Sequence, residues 1–148
     1  MRKQTLISIA MLSLLLSLAV SSTHAQSLIS VVLTIPFDFK VADKTLPAGD
    51  YIVRRSTQYS REGLQILRKD SGAGAFVLTT SIQRRAVSEN SRLIFNRYDD
   101  KYFLSQVWTA GNNYGRGMSK SGRERSLERE IAKKGAGRQT VAVTDSRR

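Results

Sequence analysis

The sequence predicts an all-β fold, an antiparallel sandwich or barrel of about seven strands followed by a charged C-terminal helix. Three observations carry that prediction. Short β-prone runs, several of them alternating apolar with polar residues, recur between Ile29 and Thr109, separated by Gly-, Pro- and Asp-rich turns. No helical periodicity interrupts these runs, which argues against a parallel α/β sheet. All the aromatic residues (5 Phe, 5 Tyr and 1 Trp) lie between Phe37 and Tyr114. Rings supply much of a core's burial energy, so the folded unit is expected to end near residue 115.

Residues 1–25 read as a secretory leader. Arg2 and Lys3 precede an apolar run from Leu6 to Val20, and Thr23-His24-Ala25 offers a cleavage site before Gln26. The run is too short and too serine-rich for a membrane span, so no transmembrane segment is expected after cleavage. The expected address is the periplasm or the extracellular space.

The first strand signal is the clearest. Ile29, Val31, Leu33, Ile35, Phe37, Phe39 and Val41 are all apolar, with Ser30, Thr34, Asp38 and Lys40 between them. Pro36 cannot donate to a ladder and marks an edge or a break into two strands. Ala42-Asp43-Lys44 and Leu46-Pro47-Ala48-Gly49 are turns, the second with Pro and Gly placed for a type I β-turn. Strands are then expected at Asp50–Thr57, Gly63–Lys69 and Ala75–Ile82, the last after the turn Asp70-Ser71-Gly72-Ala73-Gly74. Arg84–Ser91 is polar and reads as a loop. Arg92–Tyr98 and Tyr102–Thr109 flank Asp99-Asp100-Lys101 as a hairpin.

Gly111, Gly115 and Gly117 read as a flexible joint leading into a basic helical or disordered tail, residues 116–148. Within it Ser121–Lys134 resembles a helix, with Ser121 and Glu124 at capping-box spacing and Glu130 four residues before Lys134. Gly135 and Gly137 would stop it. The remainder is expected to be disordered, although Val141 and Val143 alternate. Charge concentrates there: residues 26–115 hold 12 Lys/Arg against 8 Asp/Glu, residues 116–148 hold 10 against 4.

The chain has 1 His, in the leader, and no Cys. With the leader removed, Ser-His-Asp and Cys-His catalysis and zinc sites built on His or Cys have no ligands or bases to use. A Ser-x-x-Lys dyad is absent too. The expected function is therefore non-enzymatic, with no cofactor and no metal. Carboxylate chemistry on glycans stays open as a lesser alternative, needing two acids at one cleft. Asp99-Asp100 is the only adjacent acidic pair and reads as a turn before a catalytic or calcium site. The Gly111–Gly117 segment has the context of a phosphate loop but lacks its Gly-Lys-Ser/Thr ending. Tyr98, Tyr102, Phe103 and Trp108 could face a sugar, yet their place in adjoining strands favours packing.

Arg116, Lys120, Arg123, Arg125, Arg129, Lys133, Lys134 and Arg138 are the candidate polyanion-binding residues. Glu124, Glu128 and Glu130 interleave with them, so a solvated charged helix is the competing reading. No aromatic side chain stands among them to stack bases, and no specific nucleic acid is expected.

The strings Ile35-Pro36-Phe37-Asp38-Phe39-Lys40-Val41, Lys44-Thr45-Leu46-Pro47-Ala48-Gly49-Asp50-Tyr51 and Phe95-Asn96-Arg97-Tyr98 running into Tyr102-Phe103-Leu104-Ser105-Gln106-Val107-Trp108 resemble a family of small secreted β-rich proteins of soil bacteria. The resemblance spans roughly residues 30–134. It implies a leader, a β-rich body and a charged C-terminal segment, and assigns no residue a role. The turn Leu46–Tyr51 also looks like the Leu-Pro-x-Gly-x-Tyr turn of transthyretin-like and collagen-binding-type sandwich modules. The expected function is a binding or scaffolding module of the envelope or extracellular space, the partner an envelope polyanion or another envelope protein.

Overall fold

Period-two alternation becomes sheet along nearly the whole body. The computed structural model describes residues 30–56 and 62–145, so the expected leader and Thr57 lie outside it. Among the described residues the strands are β1 (Ser30–Ile35), β2 (Phe39–Val41), β3 (Lys44–Leu46), β4 (Gly49–Arg55), β5 (Gly63–Arg68), β6 (Gly74–Leu78), β7 (Thr80–Gln83), β8 (Arg92–Tyr98), β9 (Lys101–Trp108), β10 (Tyr114–Gly117) and β11 (Gln139–Thr144). One helix, α1 (Gly122–Lys133), lies near the C-terminus.

The strands form two sheets with open edges, not a closed barrel. One is ordered β1-β4-β5-β6 and the other β11-β8-β9-β10-β7. β8 pairs along the length of β9, and β10 takes Gln106–Trp108 on the free edge of β9. The rest of that edge goes to β2, which pairs in parallel at Tyr102 and Phe103 and carries β3 on its far side. Among the described residues this parallel pair is the one departure from the expected antiparallel pattern.

The apolar faces of both sheets meet in one core. Val31, Leu33 and Ile35 of β1, Tyr51 and Val53 of β4, and Leu64 and Ile66 of β5 belong to it with Phe39, Leu93, Phe95, Leu104 and Val107. Ser105 has no partner on β8, because Phe95 pairs with Leu104 and Ile94 with Gln106. This bulge keeps Leu104 and Val107 both in the core despite their spacing of three.

The two motifs around residues 35–51 close on each other. Asp38 accepts a hydrogen bond from the Ala48 amide at 2.8 Å, tying the Pro47 turn to the strand break at Pro36. Tyr51 meets the Phe39 ring edge to face at 5.0 Å and donates its hydroxyl to the Pro47 carbonyl at 2.7 Å. Those residues serve architecture.

Four strands exceed the expected seven, each for a physical reason. β3 is too short to alternate. β6 and β7 read as one strand, but buried Thr79 carries the chain from one sheet to the other, its amide donating to the Glu62 carbonyl at 3.0 Å. β10 occupies the expected glycine joint: a Cβ on Gly115 would stand 2.8 Å from the Trp108 ring, so packing explains that glycine. β11 lies in the segment expected to be disordered. It pairs with β8 from Arg97 to Arg92, and Val141 and Val143 pack against the core without any ring. The sheet thus runs well beyond residue 115, and residues 116–144 complete the fold.

Burial raises the phenols of Tyr51 and Tyr98 above the ordinary value near 10, with the carboxylates of Glu124 and Glu128 adding to the effect at Tyr98. A phenol raised in the folded state contributes stability that is complete below pH ~10 and is lost as pH climbs towards the folded value. Phenolate absorbance is expected to show Tyr51 and Tyr98 ionising together with alkaline unfolding. Independent ionisation of either buried phenol before circular dichroism changes would contradict this placement.

Candidate anion-binding groove

The helix begins where the sequence places its cap. The Ser121 hydroxyl accepts from the Glu124 amide at 3.2 Å. The other half of the expected capping box is spent elsewhere, because the Glu124 carboxylate accepts from Asn96 at 2.7 Å and from the Tyr98 hydroxyl at 3.2 Å. Glu124 is 4% exposed, so this buried acid pins the first turn to the outer face of β8. Ile131 and Leu127 pack with Tyr98 and Phe103 below. Gly135, at φ 75°, ends the helix, with the Gly135 and Ala136 amides donating back to Ala132 and Ile131.

Beside the helix runs a groove of about 370 Å³, lined by Lys40 of β2, Lys101 and Phe103 of β9, and Arg123, Leu127 and Glu130 of α1. That volume lies within the usual range for small-ligand sites. Alternation turns Lys40 away from the core that Phe39 and Val41 enter, and its pairing with Phe103 holds the ammonium 5.9 Å from that ring centroid. The acid in the groove, Glu130, is neutralised by Lys134 at 3.0 Å. The Lys134 hydrogen bond holds its carboxyl below the ordinary range, and Lys101 adds a smaller effect. Three cations from separate elements therefore surround an apolar floor of Phe103 and Leu127.

The eight candidate cations do not gather into one surface. Arg123 lines the groove. Lys134 is paired with Glu130, and Lys120 donates to both oxygens of Glu128 at 2.6 and 2.7 Å, holding that carboxyl low. Arg125 donates to the Lys120 carbonyl at 2.8 Å and Arg129 to the Ser126 hydroxyl at 3.4 Å. Lys133 and Arg138 are exposed. Arg116 sits in β10, opposite Val107, and points between the sheets. Lys40 and Lys101 were absent from the candidates: each is ordinary on its own strand, and only the β2–β9 pairing brings them to the helix.

The acids occupy separate places. Asp38 ties a turn, Asp50 accepts from the Thr34 hydroxyl at 2.6 Å, and Asp70 pairs with Arg68 at 3.0 Å. Asp99 and Asp100 are exposed in the tight β8–β9 turn, where Asp99 takes φ 54°. Among the described residues no group of three or more His, Cys, Asp or Glu is placed to hold a metal ion, and no helix is long and apolar enough to cross a membrane. The candidate sugar-facing rings are packed: Tyr98, Phe103 and Trp108 are at most 2% exposed, and Tyr102 stacks on Phe37 at 3.8 Å. Arg84 lies 4.2 Å above the Trp108 ring.

No protein-family model, curated protein or solved structure matches the chain.

Proposed function

We propose that the chain is an exported, non-enzymatic β-sandwich module of the cell envelope or extracellular space, akin to the small secreted proteins of soil bacteria that its motifs resemble. Its task is to bind anionic groups of an envelope polymer or head group in the groove between α1 and the sheet. The observation that carries this reading is the convergence of Lys40, Lys101 and Arg123, from three elements, on one apolar-floored groove. A polyanion supplies the charge complement, while buried Phe103 backs the groove and half-buried Leu127 is its apolar contact. The isolated tail is a weaker carrier of affinity, since Lys120 and Lys134 are engaged with Glu128 and Glu130.

Removing the tail would strip β11 and α1 from the sheet, so point charges make the better test. Retention on immobilised heparin and on anionic vesicles is followed across salt for the wild type, for Lys40→Glu with Lys101→Glu, and for Lys133→Glu with Arg138→Glu. The groove pair is expected to elute at clearly lower salt, with the log–log salt slope reduced by about 2. The tail pair should behave nearly as wild type. Equal retention of all three would remove the groove reading, and selective loss in the tail pair would return affinity to the tail.

A further inference from the structure

β11 is a sheet edge built without the devices that keep sheet edges apart. In the order β11-β8-β9-β10-β7 it is the end strand, and among the described residues no strand pairs with its far side. The Asp145 amide donates to the Ser91 carbonyl at 2.9 Å, one step beyond the ladder, so the odd-numbered positions bond to β8. Thr140, Ala142 and Thr144 therefore turn their amides and carbonyls outward, and their side chains are exposed. Edges of this kind are normally blunted by Lys, Pro, a bulge or brevity. Gln139–Thr144 is 6 residues long, uncharged, rich in Thr and Val, and pairs with β8 in unbroken register. Elsewhere such devices are present: β3 has 3 residues, and Lys44 donates to the Gly74 carbonyl at the start of β6.

The strand is also complementary to a second copy of itself. A two-fold axis through Ala142, normal to the sheet, sets Thr140 opposite Thr144 of the second copy and leaves Ala142 facing its own image. The outward groups then meet as hydrogen-bonded pairs at all three positions. On the core side Val141 falls opposite Val143 of the second copy, so these two half-buried side chains cover one another. Charge agrees with the antiparallel sense. Exposed Arg138 precedes the strand, while the cleft of about 240 Å³ at its far end is lined by Asp50 and Asp145 against Lys69. The Thr34 hydroxyl that donates to Asp50 is neutral and leaves that carboxylate its charge. Antiparallel pairing carries each Arg138 towards the acidic end of the other copy, whereas parallel pairing would set cation beside cation.

We infer that β11 is a self-recognition edge, through which two copies of the chain pair antiparallel about Ala142 and join their sheets. So short a contact falls at the small end of protein interfaces, and a Kd on the order of 100 μM is expected. The test is sedimentation velocity of the exported chain from about 5 μM to about 1 mM, a range that spans this Kd. The sedimentation coefficient is expected to rise towards that of a dimer. Between about 50 μM and about 1 mM, amide exchange at Thr140, Ala142 and Thr144 should slow about threefold, as the free fraction falls. The amides of Val141 and Val143, already bonded to β8, should not change. Ala142→Lys sets two ammonium groups face to face and should weaken association roughly tenfold or more. Thr140→Lys combined with Thr144→Glu places opposite charges across two pairs and should tighten it. All three side chains are exposed, so the variants should fold, which circular dichroism checks. A sedimentation coefficient flat to the top of the range overturns the assignment, even if an added strand peptide protects the β11 amides. That result would give the edge to a foreign strand. Association that Ala142→Lys leaves intact, or protection on β6 in place of β11, overturns it as well. Weakening by the Lys–Glu pair overturns the register about Ala142.

Discussion

Phe95→Ala is expected to cost about 4 kcal/mol of folding stability, the largest effect of any single substitution considered for this chain. Phe95 is fully buried in β8, with its ring edge to face against Phe37 at 5.2 Å and Phe39 at 5.5 Å. It pairs with Leu104 beside the bulge on one side and with Val141 on the other. The cavity would therefore open where β2, β8, β9 and β11 meet, and neighbours pinned by two ladders can collapse into it only partly. A domain of this size is stable by roughly 5–15 kcal/mol, so the variant should unfold at a far lower denaturant midpoint. A loss below about 1 kcal/mol would mean that the aromatic cluster is not the centre of the core.

Glu124→Ala is expected to cost about 3 kcal/mol, unusual for a residue on a highly charged helix. The substitution leaves the Asn96 amide and the Tyr98 hydroxyl as buried donors without their acceptor, and it frees the first turn of α1 from β8. Glu124→Gln keeps an acceptor oxygen and should cost only about 1 kcal/mol. Tyr98→Phe removes one of the two donors, so combining it with Glu124→Ala should be markedly less than additive. Additive losses, or a Glu124→Ala cost no larger than that of Arg125→Ala, would show that the carboxylate does not anchor the helix.

How legible these features were depended on how local their causes are. The odd-numbered apolar run from Val31 to Val41, broken at Pro36, became β1 and β2, and the residues around Asp99 became a tight hairpin turn. The Ser121 cap, the Gly135 stop and the Glu130–Lys134 pair all appear within the helix, because each depends on neighbours one turn away. What resisted reading is caused at a distance. Gly115 looks like a joint until Trp108 is seen lying against it. The Thr79 crossing leaves no mark on the alternation it interrupts. Val141 and Val143 are too few to predict a strand alone, yet β8 offers them a full ladder. The same holds for the groove: Arg123 belonged to the conspicuous basic segment, whereas Lys40 and Lys101 join it only through tertiary pairing.

The position of β11 bears on when the chain can fold. Its partner β8 ends more than 40 residues earlier in sequence, and α1 must first be laid across that same strand's outer face. Until residue 144 emerges, Leu93 and Phe95 lack a neighbour along one edge and the sheet has no final border. Pairings of such long sequence separation form late and slowly. A chain of this design keeps that edge of β8 open until β11 reaches it. Pairing of β11 with β8 then ties the C-terminal segment to the body through one shared ladder.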